Sequence, residues 1–174
     1  MSSQTCIACR ATKAERSCGV CSESVCNGCA QFLKDETFSF RNDLAPEIKH
    51  HYYCPNCYDT HITPALEEYE EQMNQAKGVF VFFTTGKRAV PTLKKSLTWI
   101  EIKDCLDRDE TIMRLAFNAV RMGYNAIINT EVKSVKSRNK AYQKSIWSGE
   151  ALPVLVDADR MQREYDRAQG KRFD

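Results

Sequence analysis

The chain contains, at residues 18–29, the run Cys18-Gly-Val-Cys21-Ser-Glu-Ser-Val-Cys26-Asn-Gly-Cys29. This run holds two Cys-x2-Cys pairs separated by four residues, and it is flanked by two further pairs, Cys6/Cys9 and Cys54/Cys57. Eight thiolates are the ligand count of two tetrahedral zinc sites, and the two-residue spacer lets one tight turn aim both sulfurs at one ion. We therefore predict that two Zn2+ ions fold the first third of the chain.

Disulfide bonds are the competing explanation for so many cysteines. A disulfide framework is typical of secreted chains, and the N-terminal stretch 1–5 has neither the basic nor the apolar region of a signal peptide. We therefore expect zinc rather than disulfides, and a cytoplasmic location. A site closed by four thiolates offers no open position to water or substrate, so its expected role is structural.

Spacing alone leaves the assignment of pairs to ions open, because the pairs could be used in sequence, nested or interleaved. The short gap between the second and third pairs lets them lie back to back and bind different ions, which favours interleaving. Interleaving predicts two sites, which are Cys6, Cys9, Cys26 and Cys29 (site 1) and Cys18, Cys21, Cys54 and Cys57 (site 2). With eight cysteines available, we interpret His50 and His51 as loop or strand residues rather than spare ligands, and His61 as an exposed residue.

About the first 60 residues resemble the cross-braced FYVE zinc fingers and their FYVE/PHD relatives. The likeness lies in the four-residue gap within residues 18–29, the apolar Val25 before the third pair and Tyr58 after the last pair. The resemblance implies a treble-clef-like fold with interleaved zinc sites. The basic lipid-binding motif of FYVE domains is replaced here by Ala14-Glu15-Arg16-Ser17, so phosphoinositide binding does not carry over.

The 174 residues are expected to form two small domains joined by a helix. Residues 1–61 hold the paired cysteines, and residues 62–78 predict a linker helix with Thr63 as N-cap and Gly78 at its end. The narrow apolar stripe of this helix suits one neighbour, either the zinc module or another subunit. No stretch approaches the roughly 18 consecutive apolar residues of a membrane span.

Residues 79–174 predict an α+β domain with an antiparallel sheet. We expect a front strand at 79–84, a strand at 97–103, a helix at 107–122, long strands at 124–135 and 142–156, and a terminal helix at 158–168. The central order is therefore β-α-β-β. Cys105 stands alone in this half, and we interpret it as a small core residue.

Residues 79–156 resemble the YbjQ-like family, also described as heavy-metal-binding domains. The likeness lies in Met-Gly-Tyr-Asn-Ala-Ile at 122–127 and in Ser-Gly-Glu-Ala-Leu-Pro-Val at 148–154. The resemblance implies a dodecin-like β-α-β-β subunit and assembly into rings, especially pentamers. The "heavy-metal" label gains no support from this half, which has no Cys/His cluster.

No catalytic motif is present: the sequence lacks a Gly-x-Ser-x-Gly elbow, a phosphate-binding glycine loop, a dinucleotide fingerprint and a His-Glu-x-x-His pair. We therefore predict that the protein is not an enzyme. The expectation is a zinc-binding interaction or scaffold protein, homo-oligomeric, whose finger presents a surface to an unknown protein partner.

An alternative function is the binding of nucleic acid or another anionic ligand by a basic loop, which Lys87 and Arg88 could extend. This loop contains Lys133, Lys136, Arg138, Lys140 and Lys144. We favour a solvated hairpin tip, because only one aromatic residue is interleaved. Counting the thiolates and two Zn2+ also turns the formal charge of +2 into about −2, which does not favour phosphate-rich partners.

Overall fold

The computed structural model describes residues 5–86, 90–139 and 142–168. As predicted, the protein mixes helices and strands. The chain divides into two compact units, which we call the finger unit (Met1–Glu71) and the sheet unit (Gln72–Asp174).

The finger unit contains very short strands. β1 (Arg16–Ser17) pairs antiparallel with β2 (Ser24–Val25), and β3 (Gln31–Phe32) pairs antiparallel with β4 (Tyr52–Tyr53). A single 3-10 turn spans Pro46–Ile48 within the described part of this unit. Two-residue strands supply few backbone hydrogen bonds, so these ladders alone cannot hold the unit together.

A helical backbone runs without a break from residue 55 to residue 77. It consists of α1 (Pro55–Cys57), a π-helical turn (Tyr58–Ile62) and α2 (Thr63–Lys77). The prediction of Thr63 as N-cap was wrong, because its φ of −55° and ψ of −50° are helical. The cap is Cys54, whose Sγ accepts a hydrogen bond from the Cys57 N–H at 3.5 Å.

The first half of α2 packs within the finger unit through Tyr69. Its ring meets the Phe38 ring edge-on, with 5.3 Å between centroids, and its hydroxyl accepts a hydrogen bond from the Phe40 N–H at 3.4 Å. Beside it, Arg41 lies 3.3 Å from a carboxylate oxygen of Glu68. These contacts attach the first half of α2 to the chain that precedes it.

The described strands of the sheet unit form one mixed sheet. They are β5 (Phe80–Phe83), β6 (Thr92–Lys95), β7 (Ile100–Cys105), β8 (Ala126–Asn139) and β9 (Tyr142–Val156). The order is β5-β8-β9-β6, and β7 pairs with β9 beside β6. Most pairs are antiparallel, but β5 runs parallel to β8, so the prediction of an antiparallel sheet was wrong at this edge.

Apolar side chains cover both faces of the sheet. On one face, Leu115 and Ala119 of α3 (Arg108–Arg121) pack on Ile127 and its neighbours. On the other face, Val154 and the residues around it meet Met161 of α4 (Ala158–Ala168). Both helices match the predicted positions, and Cys105 is buried as expected.

Gly149 on β9 allows α3 to approach the sheet closely. A Cβ at this position would lie 2.8 Å from Thr111 Cγ2 and 3.1 Å from Leu115 Cδ1, which is too close for either neighbour. The helix itself begins at a cap, since Asp107 Oδ1 accepts a hydrogen bond from the Glu110 N–H at 2.7 Å. Gly123, with φ of 81°, follows the end of the helix.

The larger differences from the predicted strands concern β7, β6 and β8. The strand expected at 97–103 starts only at Ile100, because residues 96–99 form a turn. β6 was not predicted, since three of its four residues are exposed and show no apolar alternation. β8 continues to Asn139, so most of the expected polar loop is a two-stranded hairpin.

Candidate metal centres

The structure brings the eight paired cysteines into two quartets. They are Cys6, Cys9, Cys26 and Cys29 at site 1, and Cys18, Cys21, Cys54 and Cys57 at site 2. Within each quartet the four sulfurs lie within 4.8 Å of one another. The first and third pairs share one site and the second and fourth share the other, which is the interleaved arrangement.

Each Cys-x2-Cys pair forms the same tight turn. The carbonyl of the first cysteine accepts a hydrogen bond from the N–H four residues later, at 2.9–3.0 Å, in all four pairs: Arg10 to Cys6, Ser22 to Cys18, Ala30 to Cys26 and Tyr58 to Cys54. Arg10 and Ser22 have positive φ values of 63° and 61°. The first two turns therefore reverse the chain through a left-handed residue, whereas the fourth continues into helix.

The sulfur spacing fits a tetrahedral ion. Cys9 Sγ lies 3.6 Å from Cys26 Sγ at site 1, and Cys21 Sγ lies 3.9 Å from Cys54 Sγ at site 2. A tetrahedron with metal–sulfur bonds of about 2.3 Å has sulfur–sulfur edges of about 3.8 Å. Each quartet can therefore hold one metal ion, and four sulfur ligands in this shape suit Zn2+.

Backbone N–H groups prepare one sulfur in each quartet to be a thiolate. At site 1, the N–H groups of Cys9 and Cys26 lower the pKa of Cys6 to about 6. At site 2, burial raises the pKa of Cys18, but backbone hydrogen bonds outweigh burial and lower this pKa to about 6. N–H dipoles that point at a sulfur favour its charged form, which is the form that binds metal.

In each quartet another sulfur has a raised pKa. Hydrogen bonds with the sulfurs of Cys9 and Cys26 raise the pKa of Cys29 to about 12. Burial raises the pKa of Cys57, and hydrogen bonds with neighbouring sulfurs raise it further. Four thiolates this close together need a cation between them, because like charges a few ångströms apart cannot all ionise. All four sulfurs of a quartet can therefore be ionised together only with a metal ion between them.

The two sites differ in exposure. At site 1 only Cys6 is buried, and Cys9 is exposed. At site 2 three sulfurs belong to buried residues and only Cys21 is exposed. Site 2 therefore lies deeper in the finger unit than site 1.

The histidines lie outside both quartets, as expected. The His50 ring lies against Gly19, next to Cys18, and the His50 N–H donates to the hydroxyl of buried Tyr53 at 3.0 Å. His51 Nδ1 lies 3.3 Å from a carboxylate oxygen of Asp35. His61 is half-buried in the π-helical turn, so the prediction of an exposed residue was wrong, because that stretch is helix rather than loop.

The basic residues suggested as an anion site are spread over the β8–β9 hairpin. The register pairs Lys136 with Ser145 and Ser137 with Lys144, so Lys136 and Lys144 lie on opposite faces. Lys133 Nζ is 3.0 Å from a carboxylate oxygen of Glu131. Lys140, Lys87 and Arg88 lie outside the described residues, and so does the side chain of Arg138.

Sequence reasoning missed a group of exposed apolar side chains at residues 93–99. The sequence there is Leu-Lys-Lys-Ser-Leu-Thr-Trp, and its apolar residues were interpreted as the alternating pattern of a strand. The turn at 96–99 instead leaves these side chains uncovered.

Comparisons with models of protein families, with curated proteins and with solved structures found no match for this chain. Among the described residues, none of the helices combines the length and the apolar character needed to cross a bilayer.

Proposed function

We propose that the protein is a zinc-binding, non-catalytic interaction or scaffold protein. The observation that carries this proposal is the pair of four-cysteine quartets. A zinc ion with four thiolate ligands has no free position for water or substrate, so it stabilises a fold and does not take part in catalysis. The folded finger then presents a surface to a protein partner.

The finger is proposed to be a FYVE/PHD-like, cross-braced module with a treble-clef-like fold and structural Zn2+ at both sites. The interleaved quartets support this proposal, and so does the helix that begins directly at the last cysteine pair. In the same way, the element order β7-α3-β8-β9 supports a YbjQ-like unit. Such a unit would assemble into a ring, and several fingers on one ring would raise the avidity for a partner.

Native mass spectrometry of the purified full chain tests the metal and the assembly together. The expected result is two zinc ions per subunit and a closed ring of subunits. Cys9→Ser and Cys21→Ser should each reduce the zinc content to one ion, because each removes an exposed ligand from a different quartet. Cys105→Ser is the matched control and should retain both ions, because Cys105 lies outside the quartets. A zinc-free monomer would contradict the proposal.

A further inference from the structure

The end of β6 and the turn that follows it expose large apolar side chains to solvent. Leu97 is fully exposed at 101%, Leu93 is 69% exposed and Trp99 is 49% exposed. Covering a leucine side chain is favourable by about 1.5–3 kcal/mol. Three such side chains on one short segment indicate a surface that gains free energy when something apolar covers it.

The turn is held in one shape by Ser96. The Ser96 side chain is buried, and its Oγ donates to the Thr98 carbonyl at 2.9 Å and accepts from the Thr98 N–H at 3.0 Å. The Ser96 N–H donates to the Pro153 carbonyl at 2.9 Å, which fixes the turn to β9. The backbone that presents Leu97 is therefore ordered before any ligand arrives, so binding does not have to order it.

Positive charge lies directly beside the apolar side chains. Lys94 and Lys95 are exposed at the end of the edge strand β6, between Leu93 and Leu97 in the sequence. Their pairing with Leu155 and Val154 directs them to opposite faces of the sheet, and Lys94 Nζ lies 6.0 Å from the centroid of the Tyr124 ring. The two charges therefore flank the edge of the sheet from which the turn projects. Within the part of the chain that the structure describes, neither lysine makes an ion pair. Their charges are therefore available to an anionic surface that approaches the turn.

We propose that this turn binds the surface of a bilayer that contains anionic phospholipids. Leu97 and Leu93 would enter the boundary of the acyl chains, Trp99 would lie at the headgroup level, and the two lysines would face the lipid phosphates. A protein partner fits less well, because three side chains on one short segment fall far short of the roughly 800 Å² per partner of a stable interface.

Co-sedimentation of the zinc-loaded full chain with vesicles tests this binding. We expect binding to vesicles of equal parts phosphatidylcholine and phosphatidylserine, weakened by salt, and much less binding to phosphatidylcholine alone. Leu97→Ser should weaken binding about tenfold or more. The double change Lys94→Glu with Lys95→Glu should weaken it at least about 30-fold, because each cation near the surface contributes substantially.

Two matched controls distinguish binding by this turn from non-specific hydrophobic or electrostatic binding. Leu106→Ser removes an apolar side chain that is 64% exposed at the far end of β7, and it should leave vesicle binding unchanged. Lys136→Glu with Lys144→Glu makes the same charge change on the β8–β9 hairpin and should weaken binding far less. Equal losses from the two double changes would overturn the proposal, as would a wild-type chain that fails to bind phosphatidylserine vesicles.

Tryptophan fluorescence reports the position of the turn. The chain has two tryptophans, so Trp147→Phe leaves Trp99 as the single emitter. Its emission should shift to shorter wavelength when phosphatidylserine vesicles are added. If Trp99 already emits at short wavelength without lipid and shifts to longer wavelength on dilution, a second copy of the chain covers the turn and the membrane proposal is wrong.

Discussion

The finger unit and the sheet unit reach a stable fold by different means. In the finger unit every described strand has two residues. Most of the eight cysteines that form the quartets are partly or fully buried. In the sheet unit, β8 and β9 have 14 and 15 residues, and apolar clusters cover both faces. The finger unit buries only a small set of apolar side chains, among them Val25, Phe38 and Tyr53, so metal ions held by the quartets would supply the stability that larger apolar clusters give the sheet unit.

The two units should also respond differently to the loss of a single side chain. Loss of one sulfur in the finger unit would release the ion that its quartet holds and leave the other thiols crowded together. Loss of one apolar side chain in the sheet unit leaves a cavity while the surrounding contacts remain. A substitution in either unit should therefore change that unit while sparing the other.

The largest effect is expected from Cys54→Ser. Cys54 belongs to the quartet of site 2 and also caps the helix that begins at Pro55. Structural zinc sites contribute on the order of 10 kcal/mol to folding, so this change should unfold the finger unit. Limited proteolysis should then cut within residues 5–57 and leave the sheet unit intact. Cleavage throughout both units would show that they do not fold separately.

A smaller effect is expected from Leu115→Ala in the sheet unit. Leu115 is fully buried between α3 and the sheet. The change should lower the free energy of unfolding of this unit by about 2–5 kcal/mol. Urea unfolding measures that loss, and metal analysis should still find two zinc ions. A loss of zinc from this variant would contradict the separation of the two units.

The zinc affinity should depend on pH through the cysteines of the finger unit alone. The raised pKa of Cys29, about 12, means that its thiol must release a proton when the ion binds. Affinity should therefore increase as the pH rises above about 6, and it should fall more steeply below that value, where Cys6 and Cys18 also become protonated. Calorimetry in buffers with different ionisation enthalpies measures the released protons. Identical heats in all buffers would contradict this account.

The smallest effect is expected from the helix cap at Asp107. Asp107→Ala removes the acceptor of the Glu110 N–H at the start of α3 and should cost about 1 kcal/mol of sheet-unit stability. Asp107→Asn keeps an acceptor oxygen and should cost much less. Thermal unfolding of both variants with zinc bound distinguishes them, and equal losses would mean that the hydrogen bond does not stabilise the helix.

The sequence predicted the two quartets because each pair is a local turn with its own hydrogen-bond pattern. It also predicted α3, α4 and the long hairpin, since each has a clear apolar period or cap. The helix start was missed because Cys54 caps it with sulfur, which no ordinary capping rule includes. The residue expected to cap, Thr63, lies in a helix that had already begun.

The remaining differences come from contacts between residues far apart in the chain. The parallel pairing of β5 with β8 joins Phe80 to Ala126, and nothing local in either strand specifies it. β6 is a strand because it pairs with β9, not because of its own residues. The alternative anion site in the basic loop depends on long-range register in the same way, since the hairpin places Lys136 and Lys144 on opposite faces.

The most direct test of the central claim is an amide NMR spectrum of the full chain before and after a zinc chelator is added. We predict that signals from the finger unit collapse into the narrow range of an unfolded chain, while signals from β8, β9 and α3 keep their positions. Restoring zinc should restore the first set. A finger unit that keeps its dispersed signals without metal would contradict the claim that the two quartets hold it together.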